Sequence, residues 1–97
     1  MEINMELPLN YNNLHYRKRR AVREAYVKVQ DGFCCHCKAP LKSSPAMDIA
    51  EKPVDASLFP EGFFNWPVHL HHCHETGMTI GATHAHCNAV LWQYYGI

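Results

Sequence analysis

Residues 71–88 read HHCHETGMTIGATHAHCN and hold five of the eight histidines and two of the five cysteines of the chain. Neutral imidazole is the commonest protein ligand of transition metals, and its unperturbed pKa lies close to neutrality. A dense group of histidines around a tight turn can therefore bind a metal ion and also transfer protons. The stretch predicts metal-dependent chemistry built on a short hairpin.

Two motifs of equal spacing, called knuckles below, lie about fifty residues apart. They are Cys34-x-x-Cys37 and His84-x-x-Cys87. A two-residue spacing allows both side chains to bind one tetrahedral zinc ion. Together the knuckles predict a Cys3His site for structural zinc, which would stabilise a chain with little regular core between them.

The zinc assignment leaves alternatives open. Cys35 could replace Cys34 in a shifted register, and His86 is the main rival of His84 as the fourth ligand. Cys35 and Cys73 otherwise read as small apolar residues. A C-x-x-C pair alone could be redox-active, but a second knuckle favours zinc.

The remaining histidines follow an alternating pattern. If residues 70–73 are extended, His69 and His71 point to one face of the hairpin and His72 to the other. One imidazole can then bind a metal ion while its neighbour accepts a proton from water. Asn88 follows a predicted zinc ligand, so its amide oxygen could reach the same ion as His71. His69 reads as an ordinary polar side chain.

The patterns along the 97 residues predict a small α+β fold in one domain. Residues 1–11 indicate a flexible N-terminal arm. Within the single domain 12–97, the predicted elements are a basic helix from Asn12 or Asn13 to Gln30, ended by Asp31-Gly32, a long irregular proline-rich loop over 38–67, strands over 68–73 and 79–83, and a helix over 85–95. A zinc-stapled ββα core over residues 67–96 is expected.

The charge distribution predicts a local contact with a polyanion. The formal net charge is zero, which argues against a protein that simply coats nucleic acid. Five of the nine basic residues nevertheless form one cluster, called the basic cluster: Arg17, Lys18, Arg19, Arg20 and Arg23. We expect these side chains to contact backbone phosphates with little sequence specificity, although a solvated helix face is the simpler alternative.

A second cluster is aromatic and ends the irregular loop. Its members, called the aromatic segment, are Leu58, Phe59, Phe63, Phe64 and Trp66. The simpler interpretation is that they cover the small core, and the alternative is a stacking surface for bases.

Cysteine count and hydropathy predict the compartment. Five cysteines are an odd number, and the chain shows neither an apolar signal segment nor an apolar run of the about 18 residues of a membrane span. We expect an intracellular protein with reduced thiols and no membrane contact. The apolar last helix leaves a monomer and a homodimer both open.

The motifs, in this order, resemble the HNH endonucleases of the ββα-metal (His-Me finger) fold, and most closely the recombination endonuclease VII-like group of phages. That group reads C-x-x-C, a long gap, D-H-x-H-x-T-G, a hydrophobic-Gly step and C-x-x-C-N. The corresponding residues here are the two knuckles, residues 71–77, Ile80-Gly81 and Asn88, and the resemblance covers about residues 23–96.

The resemblance implies specific roles. His72 would be the general base that activates water, and His71 and Asn88 would bind the catalytic divalent metal ion. His74 matches a position near the scissile phosphate, and the knuckles match the structural zinc tetrad. The implied activity is hydrolysis of DNA, by nicking or double-strand cleavage, in an enzyme of phage or prophage origin acting in a bacterial host.

Two departures from the group's pattern affect the metals. His71 stands where the group more often has Asp, and His84 where it usually has Cys. A neutral nitrogen ligand disfavours Mg²⁺ and favours Mn²⁺, Ni²⁺, Co²⁺ or Zn²⁺. The alternative function is a non-catalytic zinc module that binds nucleic acid or a protein partner.

Overall fold

The computed structural model describes residues 7–96. These residues form a small α+β fold with three helices and one two-stranded antiparallel sheet. The elements are α1 (Tyr16–Val29), α2 (Met47–Ala50), β1 (Val68–His72), β2 (Thr79–His84) and α3 (Ala85–Tyr95), with short 3-10 turns at Tyr11–Asn13, Ala56–Leu58 and Phe63–Asn65. The last three long elements follow in the predicted order of strand, strand and helix.

The hairpin has one irregularity. His71 pairs with Gly81, but His72 pairs with Thr79, so Ile80 is an extra residue in β2. Such a bulge bends the strand and increases its local twist, which changes the direction of nearby side chains. It lies at the His71-His72 doublet, where the predicted chemistry needs two neighbouring imidazoles to point in different directions.

The first helix begins later than predicted. Its N-cap is His15, whose Nδ1 accepts a hydrogen bond from the Arg17 amide at 3.3 Å, and Leu14 is extended. A separate 3-10 turn, capped by Asn10, precedes it. The prediction of a start at residue 12 or 13 is therefore wrong, because pairing of the preceding chain with the hairpin overrides local helix propensity.

The chain before this turn extends the sheet at the hairpin turn. The amide of Leu9 donates to Thr79 Oγ1 at 2.9 Å, and the carbonyl of Leu9 accepts from the Thr79 amide at 2.8 Å. The Tyr11 amide donates to the Gly77 carbonyl at 2.8 Å. Residues 7–11 of the predicted arm are thus bound to the fold, whereas residues 1–6 lie outside the described residues.

The core joins all three helices to the hairpin. Its buried members are Val22, Tyr26, Cys34, Leu41, Ile49, Ala82, Cys87 and Val90. The Gln30 side chain pairs with the backbone of Ala82, donating to its carbonyl at 3.0 Å and accepting from its amide at 2.9 Å. A side-chain amide therefore takes the place of a third strand beside β2 and ties the end of α1 to the sheet.

The proline-rich loop contains one short helix that the sequence pattern does not predict. Helix α2 forms between Pro45 and Pro53, where proline is absent, and its Ile49 is buried in the core. The Ile49 carbonyl accepts a hydrogen bond from His86 Nε2 at 2.9 Å. This contact ties the loop to α3. No helix in the described part of the chain is long and apolar enough to cross a membrane.

Candidate functional site

The two knuckles meet as predicted. Cys34, Cys37, His84 and Cys87 each place one ligand atom within 4.8 Å of the others. The Nδ1 atom of His84 lies 3.4 Å from the Cys37 sulfur and 3.6 Å from the Cys87 sulfur. Ligands at the usual zinc bond lengths are separated by about 3.5 Å along a tetrahedral edge. This Cys3His group could hold a structural metal such as zinc.

Neighbouring groups orient the ligands of this cluster. His84 Nε2 lies 2.9 Å from the Pro40 carbonyl, which can only accept, so the proton is on Nε2 and the lone pair of Nδ1 faces the thiols. The amide of His36 donates to the Cys34 sulfur at 3.4 Å. The thiol of Cys87 donates to Cys34 and lowers the pKa of Cys34 from 9.0 to about 3, although burial opposes this shift. The same contact raises the pKa of Cys87, so this pair of sulfurs holds one thiolate, on Cys34, and thiolate is the form that binds metal.

The rival ligands point elsewhere. His86 donates to the Ile49 carbonyl and is not a member of the cluster. The Cys35 sulfur faces Gly81, and a Cβ added to that glycine would lie 2.9 Å from the sulfur. Burial raises the pKa of Cys35 to about 11. The structure thus places His84 and Cys34, rather than His86 and Cys35, in the group. Cys73 is half-buried at the hairpin turn.

On one face of β1, two histidines share one asparagine of α3. His69 Nε2 donates to the Phe63 carbonyl at 2.8 Å, so His69 Nδ1 must accept, and it does so from Asn88 Nδ2 at 3.1 Å. The oxygen of Asn88 then faces His71 Nδ1 at 3.0 Å and accepts a hydrogen bond from it. The Phe63 carbonyl therefore sets the tautomer of His69, the orientation of the Asn88 amide and, through that amide, the tautomer of His71 when no metal is bound.

This arrangement fits the donor set of a divalent cation. The 3.0 Å between His71 Nδ1 and Asn88 Oδ1 equals the separation of two adjacent octahedral ligands that each lie about 2.1 Å from an ion. His71 can present Nδ1 by moving its proton to Nε2. Burial, and then the nearby His74 and His36, lower the pKa of His71, although Asn88 opposes the shift, and a neutral ring is the form that binds metal.

His72 points to the other side and stacks on a residue of the predicted arm. Its ring lies 3.9 Å from that of Tyr11 at an interplanar angle of 5°. The Arg19 guanidinium lies 4.0 Å from the Tyr11 ring centroid, and the His74 ring lies 4.8 Å from His72. Burial lowers the pKa of His72, and the neighbouring His74, His71 and Arg19 lower it further. These surroundings therefore favour the neutral form of the His72 ring.

Two residues contribute to this site beyond those that the sequence predicts. Tyr11 lies in the predicted arm, for which no role is expected, and His69 reads as an ordinary polar side chain in the sequence. The alternation of His69 with His71 on the strand is a signal that could identify His69, since residues two apart share a face. Nothing in the sequence pattern points to Tyr11, because its position depends on pairing of the arm with Gly77.

A groove of about 1130 Å³ brings the candidate residues together. Its lining includes His69, His71, His72, His74 and Asn88. Four members of the basic cluster also line it: Arg17, Arg19, Arg20 and Arg23. Lys18 is exposed on α1 and does not line the groove. The predicted base, the predicted metal ligands and most of the predicted phosphate contacts therefore share one concave surface.

The aromatic segment adjoins the same groove and lies outside the core cluster. Phe59 contacts the rings of Phe63, Phe64 and Trp92 at centroid distances of 4.7, 5.7 and 5.4 Å. Trp66 is 67% exposed. The interpretation that these residues cover the small core is therefore wrong for most of them, because they pack on one another and on α3.

The comparisons with known proteins found no match to any protein-family model, any curated protein or any solved structure.

Proposed function

We propose that this protein is a metal-dependent HNH endonuclease that hydrolyses phosphodiester bonds in DNA, with a structural zinc ion at the Cys3His group. The observation that carries the proposal is the shared groove. A structural zinc site is complete without the His71 and Asn88 pair and without His72, so zinc binding alone gives no reason for these side chains to meet beside four arginines.

The proposed reaction begins with proton transfer to His72. Its neutral ring accepts a proton from a water molecule, whose oxygen attacks the phosphorus atom, and the bond to the 3′ oxygen breaks. The departing 3′ oxygen takes a proton from solvent water, and His72 afterwards releases its proton to solvent, so the products carry a 5′ phosphate and a 3′ hydroxyl. Tyr11 limits rotation of the His72 ring, and the Arg19 guanidinium beside it disfavours early protonation.

His71 and Asn88 would hold the catalytic divalent ion. That ion supplies Lewis-acid stabilisation of the charge that develops on the phosphate oxygens. Phe63 and His69 keep the Asn88 oxygen directed at His71. His74 is exposed and its ring lies beside that of His72, which supports a contact of His74 with the phosphate.

The arginines of the groove would hold the DNA backbone. Among the described residues, the Arg20 and Glu24 pair is the one ion pair, at 3.3 Å, and both side chains are largely exposed, so it competes weakly with a phosphate. Arg17 and Arg23 form no ion pair in this part of the chain. Phosphate contacts of this kind position the nucleic acid but do not read its sequence.

The test is cleavage of supercoiled plasmid by zinc-loaded protein in the presence of added Mn²⁺, Co²⁺, Ni²⁺, Mg²⁺ or Zn²⁺. We expect nicked or linear product with at least one ion, and a large loss of activity in Asn88→Ala protein that keeps its zinc. If folded, zinc-loaded protein cleaves with none of the five ions, the chain is a non-catalytic zinc module.

A further inference from the structure

The groove combines a cationic lining and an aromatic lining, and the proposed reaction uses only the first. The cationic lining comes from α1, through Arg17, Arg19, Arg20 and Arg23. The aromatic lining comes from the aromatic segment and α3, through Phe59, Phe63, Trp66 and Trp92. Strand β1 packs against both α1 and α3, so the histidines are carried by the element that connects the two linings.

The aromatic lining presents open ring surface. Trp66 is 67% exposed and Trp92 is 43% exposed, although both line the groove. Trp66 has no aromatic stacking partner among residues 7–96, in contrast to Phe59 and Phe63, which contact each other at 4.7 Å. A large half-exposed ring gains free energy when a flat apolar partner covers it.

The lining charges identify the chemistry of that partner. The only acidic residue among the groove-lining residues of the described chain is Glu61, against four arginines. A ligand with regularly spaced negative charges and flat apolar rings matches both linings. In a regular duplex the base faces are covered by their neighbours, so a side chain in a groove wall can stack only on an unpaired base.

We propose that the groove binds an unpaired DNA strand, with phosphates against the arginines of α1 and bases stacked on Trp66 and Trp92. The inference rests on the proposed nuclease function and specifies its substrate class as single-stranded or locally unpaired DNA. Trp66 and the β1 histidines line the same groove, so one unpaired strand that follows the groove can contact both.

The test measures binding separately from cleavage. His72→Ala protein, with no divalent ion added, is titrated with an oligothymidylate longer than the about 4–16 nucleotides that one single-strand-binding fold covers, and with a blunt-ended, fully paired two-strand duplex of equal length. We expect tighter binding of the oligothymidylate at equal salt. Quenching of the intrinsic fluorescence of Trp66 and Trp92 should accompany it, because a stacked base quenches an indole.

A matched pair of variants tests the stacking surface. Trp66→Ala should weaken oligothymidylate binding about tenfold or more and binding of the paired duplex less than twofold, since removal of a stacking ring affects only unpaired bases. Tyr95→Ala removes a ring that is 59% exposed at the end of α3 and does not line the groove, so it should leave both affinities unchanged.

Equal or tighter binding of the paired duplex, or equal effects of the two variants, would overturn the inference. The cleavage assay remains separate. Wild-type protein that cuts duplex plasmid while showing no preference for the unpaired strand would support the nuclease function and refute the substrate class. A clear preference for the unpaired strand, together with weaker binding by Trp66→Ala, in a protein that fails to cleave with any of the five ions would refute the nuclease function and support the binding site.

Discussion

Replacement of His72 separates catalysis from folding, because the two effects differ in size. Its ring stacks on Tyr11 and makes no hydrogen bond among the described residues. Loss of a stacked aromatic pair costs about 0.5–1.5 kcal/mol of unfolding free energy. Loss of a general base costs about 10²–10⁴-fold in rate, or about 3–5 kcal/mol of activation free energy. His72→Ala should therefore remain folded and lose nearly all cleavage.

Two further variants make the comparison sharp. His72→Phe can keep the stacking on Tyr11 but cannot accept a proton, so it should match the wild-type melting temperature more closely than His72→Ala and be equally inactive. His86→Ala is the matched histidine control. It loses the hydrogen bond to the Ile49 carbonyl, worth about 0.5–1.5 kcal/mol, outside the groove. It should lose similar stability and keep its cleavage rate.

The assay is single-turnover plasmid cleavage, run beside thermal unfolding and zinc analysis of each variant. The pH dependence of the cleavage rate gives a further test of His72 as the base. The base must be neutral and its pKa is lowered, so the wild-type rate should rise with pH and reach half of its plateau value below about pH 6.5, the ordinary pKa of histidine. Cleavage by His72→Phe at the wild-type rate at neutral pH would refute the assignment of His72 as the base.

Three other substitutions test the two metal sites and Tyr11. Cys37→Ser should lose the stoichiometric zinc and unfold the domain, and a folded variant that still carries one zinc per chain would disprove the Cys3His assignment. His71→Asp should raise activity with Mg²⁺ relative to Mn²⁺, Co²⁺ or Ni²⁺, which the wild-type protein should prefer, and a Mg²⁺ preference in the wild type would show that His71 does not set the metal. Tyr11→Leu should lower the single-turnover rate about 10–100-fold at unchanged zinc content, whereas Tyr11→Phe should restore it, and equal rates in both variants would remove Tyr11 from the positioning of His72.

The parts of the fold that depend on local pattern are predictable from the sequence. The last helix has the predicted bounds, and the strands differ from prediction by one residue at one end each. The spacing within each knuckle is also local, so the sequence predicts that the two knuckles meet at one metal site. It leaves Cys35 and His86 open as alternative ligands, and the structure excludes them in favour of Cys34 and His84. The different directions of His71 and His72 follow from strand alternation.

The rest depends on contacts between distant segments. The first helix starts at Tyr16 because Leu9 and Tyr11 pair with the hairpin, more than sixty residues away along the chain. The same pairing places Tyr11 against His72. Similarly, the link from Phe63 through His69 to Asn88 joins a loop, a strand and a helix, and no periodicity within one element could predict it.

The two proposed metal sites are joined through consecutive residues. Cys87 and Asn88 are neighbours in the first turn of α3, and a step of about 100° around the helix axis turns one toward the knuckles and the other toward β1. A zinc ion bound by Cys87 and His84 would therefore restrain the rotation of α3 relative to the hairpin, and with it the distance between His71 and Asn88. Zinc would contribute to catalysis from outside the groove by holding the ligands of the second ion at a bonding separation.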